Sequence, residues 1–400
     1  MSLDVPGLDS LDLEDKRVLV RVDLNVPLAE DGGITDDTRI RAVVPTLRFL
    51  LERRARLILA THLGRPKGVV VEALRVDRVG ERLGELLGVP VLKLDESVGP
   101  AVERAVAAAP KGTVVLLENV RFHAGETQGD SALAASFARL ADAFVNDAFG
   151  TSHRDHASVC GAARLLPSAA GLLLERELAA FRRVLEQPER PLVAILGGAK
   201  VTDKLPVIAN LVERCQAILI GGGMAYTFLA ARGQGTGTSL VQEDQVEAVR
   251  GNLVRAEEIG CRLLVPTDHV VAEAFAADAA PALVRDIPAG RMGLDIGPET
   301  SSAYAAEIAA ARTVVWNGPM GVFEWEAFRA GTEAVGRAVA RTEAYTVVGG
   351  GDSVAAIGLL GLEDEIDHIS TGGGASLELL EGKLLPGIEA LRPPDPGTTW

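Results

Sequence analysis

The stretch YTVVGGGDS, residues 345–353, is a short β-branched run that ends in three glycines, and this pattern organises the second half of the chain. Three more apolar runs end in the same way: LVAILGG (192–198), AILIGGG (217–223) and HISTGGG (368–374). Each run has the length of a buried strand, and each glycine cluster precedes a helix-like stretch. A strand that leads through glycines into a helix exposes backbone N–H groups and the positive end of the helix dipole, which suits phosphate. Four such turns predict a site for a large phosphate-bearing ligand, although a single one would fit equally well a tight strand-to-helix turn.

Strand-like and helix-like runs alternate along all 400 residues, which predicts an α/β fold of two domains, each with a parallel sheet flanked by helices. The first half contains predicted strands at 17–23, 56–61, 90–94, 113–117 and 143–146. The second half contains them at 192–196, 217–220, 262–265, 313–316, 346–348 and 368–370. We predict an N-terminal domain at 1–170, an interdomain helix and hinge at 171–188, and a C-terminal domain at 189–385. The Pro-rich tail, 386–400, is predicted to be an extended arm that could pack back on the N-terminal domain.

The composition narrows the class of protein. A formal net charge of −15 argues against nucleic acid or anionic membranes as partners. No apolar stretch reaches the ~20 residues of a membrane span, and the N-terminus lacks the pattern of a signal peptide. The three cysteines form no metal-ligand pattern, as in a reduced cytoplasmic enzyme. An acidic protein can bind a polyanion only where its basic groups are concentrated, so the positions of the arginines are informative.

Polar side chains follow the predicted strands of the first half, where ligands of parallel sheets bind. They are Asp23, Asn25, His62, Arg65, Arg121, His123, Asp147 and Arg154, with Arg21 and Arg39 close by in sequence. Arginine binds phosphate or carboxylate through two parallel hydrogen bonds. Each arginine alone could be a surface charge and His62 could be a core histidine, but the set predicts a site for an anionic ligand.

In the second half, Lys200 and Lys204 lie four residues apart after the first glycine cluster, and we predict that they share a helix face at its mouth. Asp352 follows three glycines and could hold Mg²⁺ on phosphate oxygens, although it could also be a helix N-cap. Neither GxxxxGK[ST] nor GxGxxG occurs, which argues against a P-loop enzyme and an ordinary dinucleotide dehydrogenase.

Long strings of this sequence resemble the phosphoglycerate kinases, in that family's order. They are RVDLNVPL from Arg21, HLGRP from His62, LLENVRFH from Leu116, VNDAFGTSHRDHAS from Val145, ILGGAKVTDKLPV from Ile195, IGGGMAYTF from Ile220, WNGPMGVFE from Trp316, VVGGGDS from Val347 and STGGGASLELLEGK from Ser370. The resemblance implies two Rossmann-like domains joined by a helix and hinge. It also implies the glycolytic reaction 1,3-bisphosphoglycerate + ADP ⇌ 3-phosphoglycerate + ATP, with Mg²⁺, in a cytoplasmic monomer whose domains close around small-molecule substrates.

The resemblance also implies roles for individual residues. The 3-phosphoglycerate site would comprise Asp23, Asn25, Arg39, His62, Arg65, Arg121 and Arg154. The nucleotide site would comprise Lys200, Lys204, Asn317, Glu324, Gly350, Gly351, Asp352 and Ser353, with Asp352 as the metal ligand. The groups that act on the phosphoryl group in transit would be Arg39, Lys200, Gly373 and Gly374.

Two departures from the family pattern stand out. Asp155 replaces a small residue and could weaken the pull of Arg154 on phosphate, whereas Ser353 replaces a common threonine and keeps the hydroxyl.

A carboxylate acceptor is already ionised at neutral pH, so the reaction needs no general base, and none is evident among these residues. A non-catalytic anion-binding protein would not need Lys200 or Asp352, and a dehydrogenase would need the missing glycine fingerprint.

Overall fold

The computed structural model describes residues 2–393. They divide into two compact units, an N-terminal unit of residues 2–179 together with the segment from Leu384, and a C-terminal unit of residues 180–383. A helix spans Leu172–Leu185, within the range 171–188 predicted as a connecting helix. The division between the units therefore falls inside this helix.

The N-terminal unit is built on a six-stranded parallel sheet. Its strands are β1 (Arg17–Val22), β2 (Arg56–Ala60), β3 (Val91–Lys93), β4 (Val114–Leu116), β5 (Ala143–Asp147) and β6 (Ser168–Ala170). Their order is β3-β4-β2-β1-β5-β6. The accompanying helices are α1 (Thr38–Glu52), α2 (Asp77–Leu87), α3 (Pro100–Ala108), α4 (Ala124–Thr127), α5 (Ser131–Ala138) and α6 (Leu172–Leu185).

The central strands of this sheet are apolar because both of their faces are covered. Val18, Val20 and Val22 of β1 are fully buried and pack in one core with Ile40 and Leu47 of α1. The residues that follow these strands are thereby held at the rim of a rigid sheet.

The C-terminal unit contains a second six-stranded parallel sheet, in the order β15-β14-β13-β7-β8-β9. These strands are β7 (Leu192–Leu196), β8 (Ala217–Ile220), β9 (Arg262–Leu264), β13 (Thr313–Asn317), β14 (Tyr345–Gly349) and β15 (His368–Ile369). The helices are α7 (Leu205–Val212), α8 (Ala225–Ala231), α9 (Val246–Ile259), α10 (Pro298–Ala309), α11 (Ala330–Arg341), α12 (Gly351–Leu360) and α13 (Gly374–Leu380). The predicted α/β fold with two parallel sheets is confirmed.

Four strands were not predicted. One is β6, whose sequence SAA has no β-branched residue. The other three are β10 (His269–Ala272), β11 (Ala282–Val284) and β12 (Met292–Ile296), which form a separate antiparallel sheet in the order β11-β10-β12. The regular alternation of strands and helices gave no signal for an antiparallel insertion.

The segment from Leu384 is not a fully extended arm, because it contains a short helix, α14 (Pro386–Glu389). The Gly387 N–H donates to the Ser152 carbonyl at 2.8 Å, and Asn146 Nδ2 donates to the Gly387 carbonyl at 3.1 Å. The prediction for the rest of the Pro-rich tail concerns 394–400, outside the described residues. Within residues 2–393, no helix is both long and apolar enough to cross a membrane.

Candidate active site

Glycine-bearing turns line a cavity of about 710 Å³ in the C-terminal unit, beyond the carboxyl ends of β7, β13 and β14. Its glycines are Gly197, Gly198, Gly318, Gly350, Gly351, Gly373 and Gly374. Gly350 has φ +92°, and a Cβ at this position would lie 3.0 Å from Asn317 Nδ2. Only glycine combines this backbone conformation with such close packing, which opens the first turn of α12 toward the cavity.

Lys204 and Asn317 form a polar pair in the wall of this cavity. Lys204 Nζ donates to Asn317 Oδ1, whereas the buried Asn317 Nδ2 has no hydrogen-bond partner within residues 2–393. Burial lowers the Lys204 pKa to about 8, against the opposing effect of Asp203, Asp352 and Glu381. An unsatisfied buried N–H donor is costly, so this wall suits an acceptor such as a phosphate oxygen.

The expectation that Lys200 and Lys204 share a helix face is wrong. Helix α7 begins at Leu205, so Lys204 precedes it and Lys200 lies in the preceding loop. The glycine turn leads into several residues of loop before the helix starts. Both lysines nevertheless line the same cavity, and Lys200 is exposed.

Asp352 and Ser353 open helix α12 but have different surroundings. The exposed Asp352 lines the cavity. Ser353 is fully buried, and its Oγ accepts the Gly318 N–H at 2.5 Å. Ser353 therefore fixes the loop that follows β13 through a lone pair of its oxygen and not through its O–H donor, and it also lines the cavity.

A second, more apolar cavity of about 520 Å³ adjoins the first, since Gly198, Ala199 and Asp352 line both. Its other lining residues include Gly222, Gly223, Tyr226, Leu240, Phe275, Met292, Val322 and Glu324. The Phe275 ring packs against Trp325, with 4.6 Å between the ring centroids. Of this set, sequence reasoning identified only Glu324 and the two glycines. Tyr226 and Val322 lie within quoted motif strings but were given no role, whereas Leu240, Phe275 and Met292 lie outside every motif, so no local pattern marked them.

In the N-terminal unit, Asp23, Arg39 and His62 lie together beyond the ends of β1 and β2. Arg39 forms a salt bridge with Asp23, and Asp23 Oδ1 lies 4.0 Å from His62 Nδ1. Burial, opposed by the Asp23 charge, lowers the His62 pKa to about 3. His62 is therefore a neutral imidazole at physiological pH.

Asn25 and Arg121 fix the loop after β2, which carries Arg65. Asn25 Oδ1 accepts the Gly64 N–H at 2.8 Å, and Arg121 donates to the Gly64 carbonyl at 2.8 Å. Arg121 Nε is buried with no partner among residues 2–393, and Arg65 is exposed. The cluster therefore has guanidinium donors that are free for an anion.

His153 is influenced by the charge of Arg154 and by charges of the cluster around Asp23 and Arg121, so Arg154 lies near this cluster. Burial, followed by the charge of Arg154, lowers the His153 pKa to about 4, and Asp23 and Arg121 also act on this ring. Six of the seven residues expected at the anion site follow β1, β2, β4 and β5, which are neighbours in one sheet, and Arg39 lies in the first turn of α1, where it binds Asp23. Among residues 2–393, no three His, Cys, Asp or Glu side chains form a metal-binding group.

Asp155 does not compete for Arg154. Its carboxylate forms a two-bond salt bridge with Arg164, at 3.0 and 3.3 Å. The Asp155 side chain therefore pairs with Arg164 and not with Arg154, and its effect on phosphate binding by Arg154 stays a prediction.

Comparison with known proteins adds an independent line of evidence. The family model "Phosphoglycerate kinase" matches residues 8–383. A phosphoglycerate kinase of Moorella thermoacetica is 56% identical over 386 residues, covering 96% of this chain and 98% of the relative. One of Synechococcus elongatus is 54% identical over 391 residues, covering 96% and 97%.

Solved structures agree. Phosphoglycerate kinase from Coxiella burnetii superposes with a TM-score of 0.89 at 40% identity, covering 97% of this chain and 99% of that one. The enzyme from Pyrococcus horikoshii gives 0.80 at 34% identity, covering 96% and 98%. These matches show that the chain, which carries the glycine-lined cavity and the arginine cluster described above, belongs to the phosphoglycerate kinase family.

Proposed function

We propose that the two cavities of the C-terminal unit bind ADP or ATP. The apolar cavity suits the adenosine, with Glu324 available to a ribose hydroxyl, and the glycine-lined cavity suits the phosphates. The observation that carries this assignment is the buried Asn317 amide without an acceptor, beside Lys204 and the first turn of α12. A phosphate oxygen would satisfy this donor and would sit at the positive end of the helix dipole.

We assign the arginine cluster of the N-terminal unit to 3-phosphoglycerate and 1,3-bisphosphoglycerate. Arg65, Arg121 and Arg154 would bind the phosphate that is not transferred, while Arg39 would face the reacting carboxylate. The support is chemical: guanidinium groups are the preferred partners of phosphate and carboxylate. Asp23 and Asn25 would orient these groups, since they already bind Arg39 and the Gly64 loop.

The protein is a phosphotransferase with a carboxyl group as acceptor, and it acts in glycolysis. A β-phosphate oxygen of ADP attacks the acyl phosphorus of 1,3-bisphosphoglycerate, the bond from phosphorus to the carboxyl oxygen breaks, and 3-phosphoglycerate leaves as a carboxylate. Because neither nucleophile carries a proton that must be removed, the residues act by positioning and by charge. Lys200 and Arg39 would follow the phosphoryl group, together with the backbone at Gly373 and Gly374.

Asp352 fits the family's Mg²⁺. Magnesium commonly takes one or two carboxylates and completes its coordination with substrate oxygens and water, and Asp352 is an exposed carboxylate where the two cavities meet. The ion would supply charge neutralisation on the phosphate oxygens.

We further propose that the enzyme works as a monomer in the cytoplasm, the location expected of a glycolytic enzyme. Transfer also requires the two substrates to meet, so the domains, 1–170 and 189–385, would close when both are bound. Small-angle scattering should show a contraction only with both ligands, and an unchanged radius of gyration would contradict closure.

A coupled assay of ATP formation from ADP and 1,3-bisphosphoglycerate tests the activity. Calorimetry tests the nucleotide assignment: Asn317→Ala should weaken ADP binding about tenfold, as expected for loss of a hydrogen bond to a charged group. Asn252→Ala is the matched control, because among the described residues the Asn252 amide bonds only to Ala248 of its own helix, α9. Equal affinities in the two variants would refute the phosphate site.

A further inference from the structure

A line of buried polar groups lies behind the anion cluster and begins at Arg21, whose guanidinium is fully buried. Its Nε donates to Ser158 Oγ at 2.9 Å, and one terminal nitrogen donates to the Val22 carbonyl at 2.5 Å. The other terminal nitrogen lies 3.3 Å from His62 Nδ1. Arg21 is inaccessible to substrate, so it can act only through its neighbours.

Glu126 is the carboxyl group that balances Arg21: burial raises its pKa, while the Arg21 charge and the hydrogen bonds from Ser158 act against this and favour the ionised form. It is fully buried, and it accepts the Ser158 hydroxyl at 2.6 Å and the Ser158 N–H at 2.9 Å. The other nearby carboxylate, Asp23, is already bound to Arg39. Because an unbalanced buried cation is strongly destabilising, Glu126 and Ser158 determine where the Arg21 guanidinium rests.

The contact between Arg21 and His62 determines the tautomer of His62. Arginine can only donate hydrogen bonds, so His62 Nδ1 must accept and its proton must lie on Nε2. Asp23 Oδ1, 4.0 Å from the same nitrogen, is beyond hydrogen-bonding distance. Burial and the charges of Arg21, Arg121 and Arg39 keep the ring neutral, against the opposing charge of Asp23.

We propose that Glu126 and Ser158 are positioning residues that act through Arg21 to hold His62 as a neutral donor with its proton on Nε2. This inference rests on the proposed function, which places His62 in the site for 3-phosphoglycerate. The Nε2–H would then donate to an anionic oxygen of that substrate in the ground state and in the transition state alike. Loss of the positioning groups should therefore raise KM for 3-phosphoglycerate and leave kcat nearly unchanged.

The tautomer can be measured directly by long-range ¹H–¹⁵N NMR on the wild-type protein with ¹⁵N-labelled histidine, with His62→Gln identifying the resonances. We expect an unprotonated Nδ1, a protonated Nε2 and no titration between about pH 5.5 and 8. A proton on Nδ1, or a titration near the ordinary histidine pKa, would overturn the inference. This measurement needs no substrate and no variant of the positioning groups.

Kinetics tests the consequence. Ser158→Ala removes the hydroxyl without changing any charge, and Glu126→Gln removes the balancing charge. Each should raise KM for 3-phosphoglycerate about tenfold, equivalent to about 1.4 kcal/mol, and Ser158→Ala should mix the His62 tautomers. The control is Ser136→Ala, because within the part of the chain that the structure describes this hydroxyl bonds only with Ala132 and Arg139 of its own helix region.

Two failures are distinguishable. A wild-type KM together with an unchanged His62 spectrum in Ser158→Ala would refute the positioning role alone. A wild-type KM for 3-phosphoglycerate in His62→Ala would refute the substrate assignment of the proposed function, and the donor role with it.

Discussion

Lys204 provides a direct test of the nucleotide site because its burial makes its charge depend on pH near neutrality. Its pKa is lowered to about 8, since burial outweighs the nearby carboxylates Asp203, Asp352 and Glu381. A phosphate group should bind the protonated form. The unliganded enzyme must therefore take up a proton on Lys204 whenever nucleotide binds above this pKa.

The size of the effect follows from the titration. With a pKa of about 8, Lys204 is about 90% protonated at pH 7 and about 10% protonated at pH 9. The Kd for ADP should therefore rise about tenfold between these pH values, or by about 1.4 kcal/mol. The last ionisation of a nucleotide phosphate, with a pKa near 6, is about 90% complete at pH 7, so it changes the Kd little over this range.

Isothermal titration calorimetry can measure both quantities. At pH 8, binding in buffers of different ionisation enthalpy should reveal an uptake of about half a proton per ADP. Lys204→Arg is the control, since arginine stays charged throughout and should abolish both the proton uptake and the pH dependence. A Kd that is flat from pH 7 to 9 in the wild type, or an equal slope in Lys204→Arg, would refute this reasoning.

Three further predictions concern single residues. Lys200→Ala and Arg39→Ala should each lower kcat by about 10²–10³, the scale of losing one preorganised charge-stabilising donor. Far-UV circular dichroism should be unchanged in both variants. A normal kcat in Lys200→Ala would mean that this lysine only binds the nucleotide in the ground state. Arg65→Ala should instead raise KM for 3-phosphoglycerate, and sulfate should compete with this substrate in the wild type but less in the variant. Asp147 accepts two N–H groups of the first turn of α6, and burial raises its pKa from 3.8 to about 7. Ionising Asp147 therefore costs more free energy in the folded protein than in the unfolded chain. The free energy of unfolding should fall as pH rises from about 4 to 7. In denaturant titrations, the free energy of unfolding of Asp147→Asn minus that of the wild type should increase by about 2–3 kcal/mol from pH 5 to pH 8. The same difference at both pH values would contradict the raised pKa of Asp147.

The parallel sheets were predictable because buried strands leave a strong local trace. The run LVAIL, residues 192–196, is apolar throughout, and its five residues are fully or almost fully buried in β7. A strand such as β6, with the sequence SAA, derives its conformation from its neighbour β5 rather than from its own residues. The antiparallel sheet was missed for a related reason, since the three-residue strand β11 is specified by pairing with β10.

The candidate sites were predictable where a motif stands at the end of a strand, and less so where distant segments meet. Lys204 and Asn317 were each identified, but their hydrogen bond joins residues 113 positions apart and has no sequence signature. The apolar cavity depends on Phe275 and Met292, which lie outside the motifs. Asp155 was placed beside Arg154 by adjacency in sequence, whereas its side chain binds Arg164.

This protein has a net charge of −15, yet some of its arginine and lysine side chains have no carboxylate partner in the described part of the chain. These unpaired side chains can bind a polyanion. Many surface arginines are paired, as Arg17 is with Asp142 and Arg262 is with Glu307. Arg65, Arg154 and Lys200 are exposed and have no salt bridge within residues 2–393. Their charge remains available to phosphate, while the surrounding negative surface disfavours nonspecific polyanions. We therefore expect these unpaired cations to contribute to phosphate binding alongside the other groups proposed for the two sites, and increasing salt should weaken their contribution by screening.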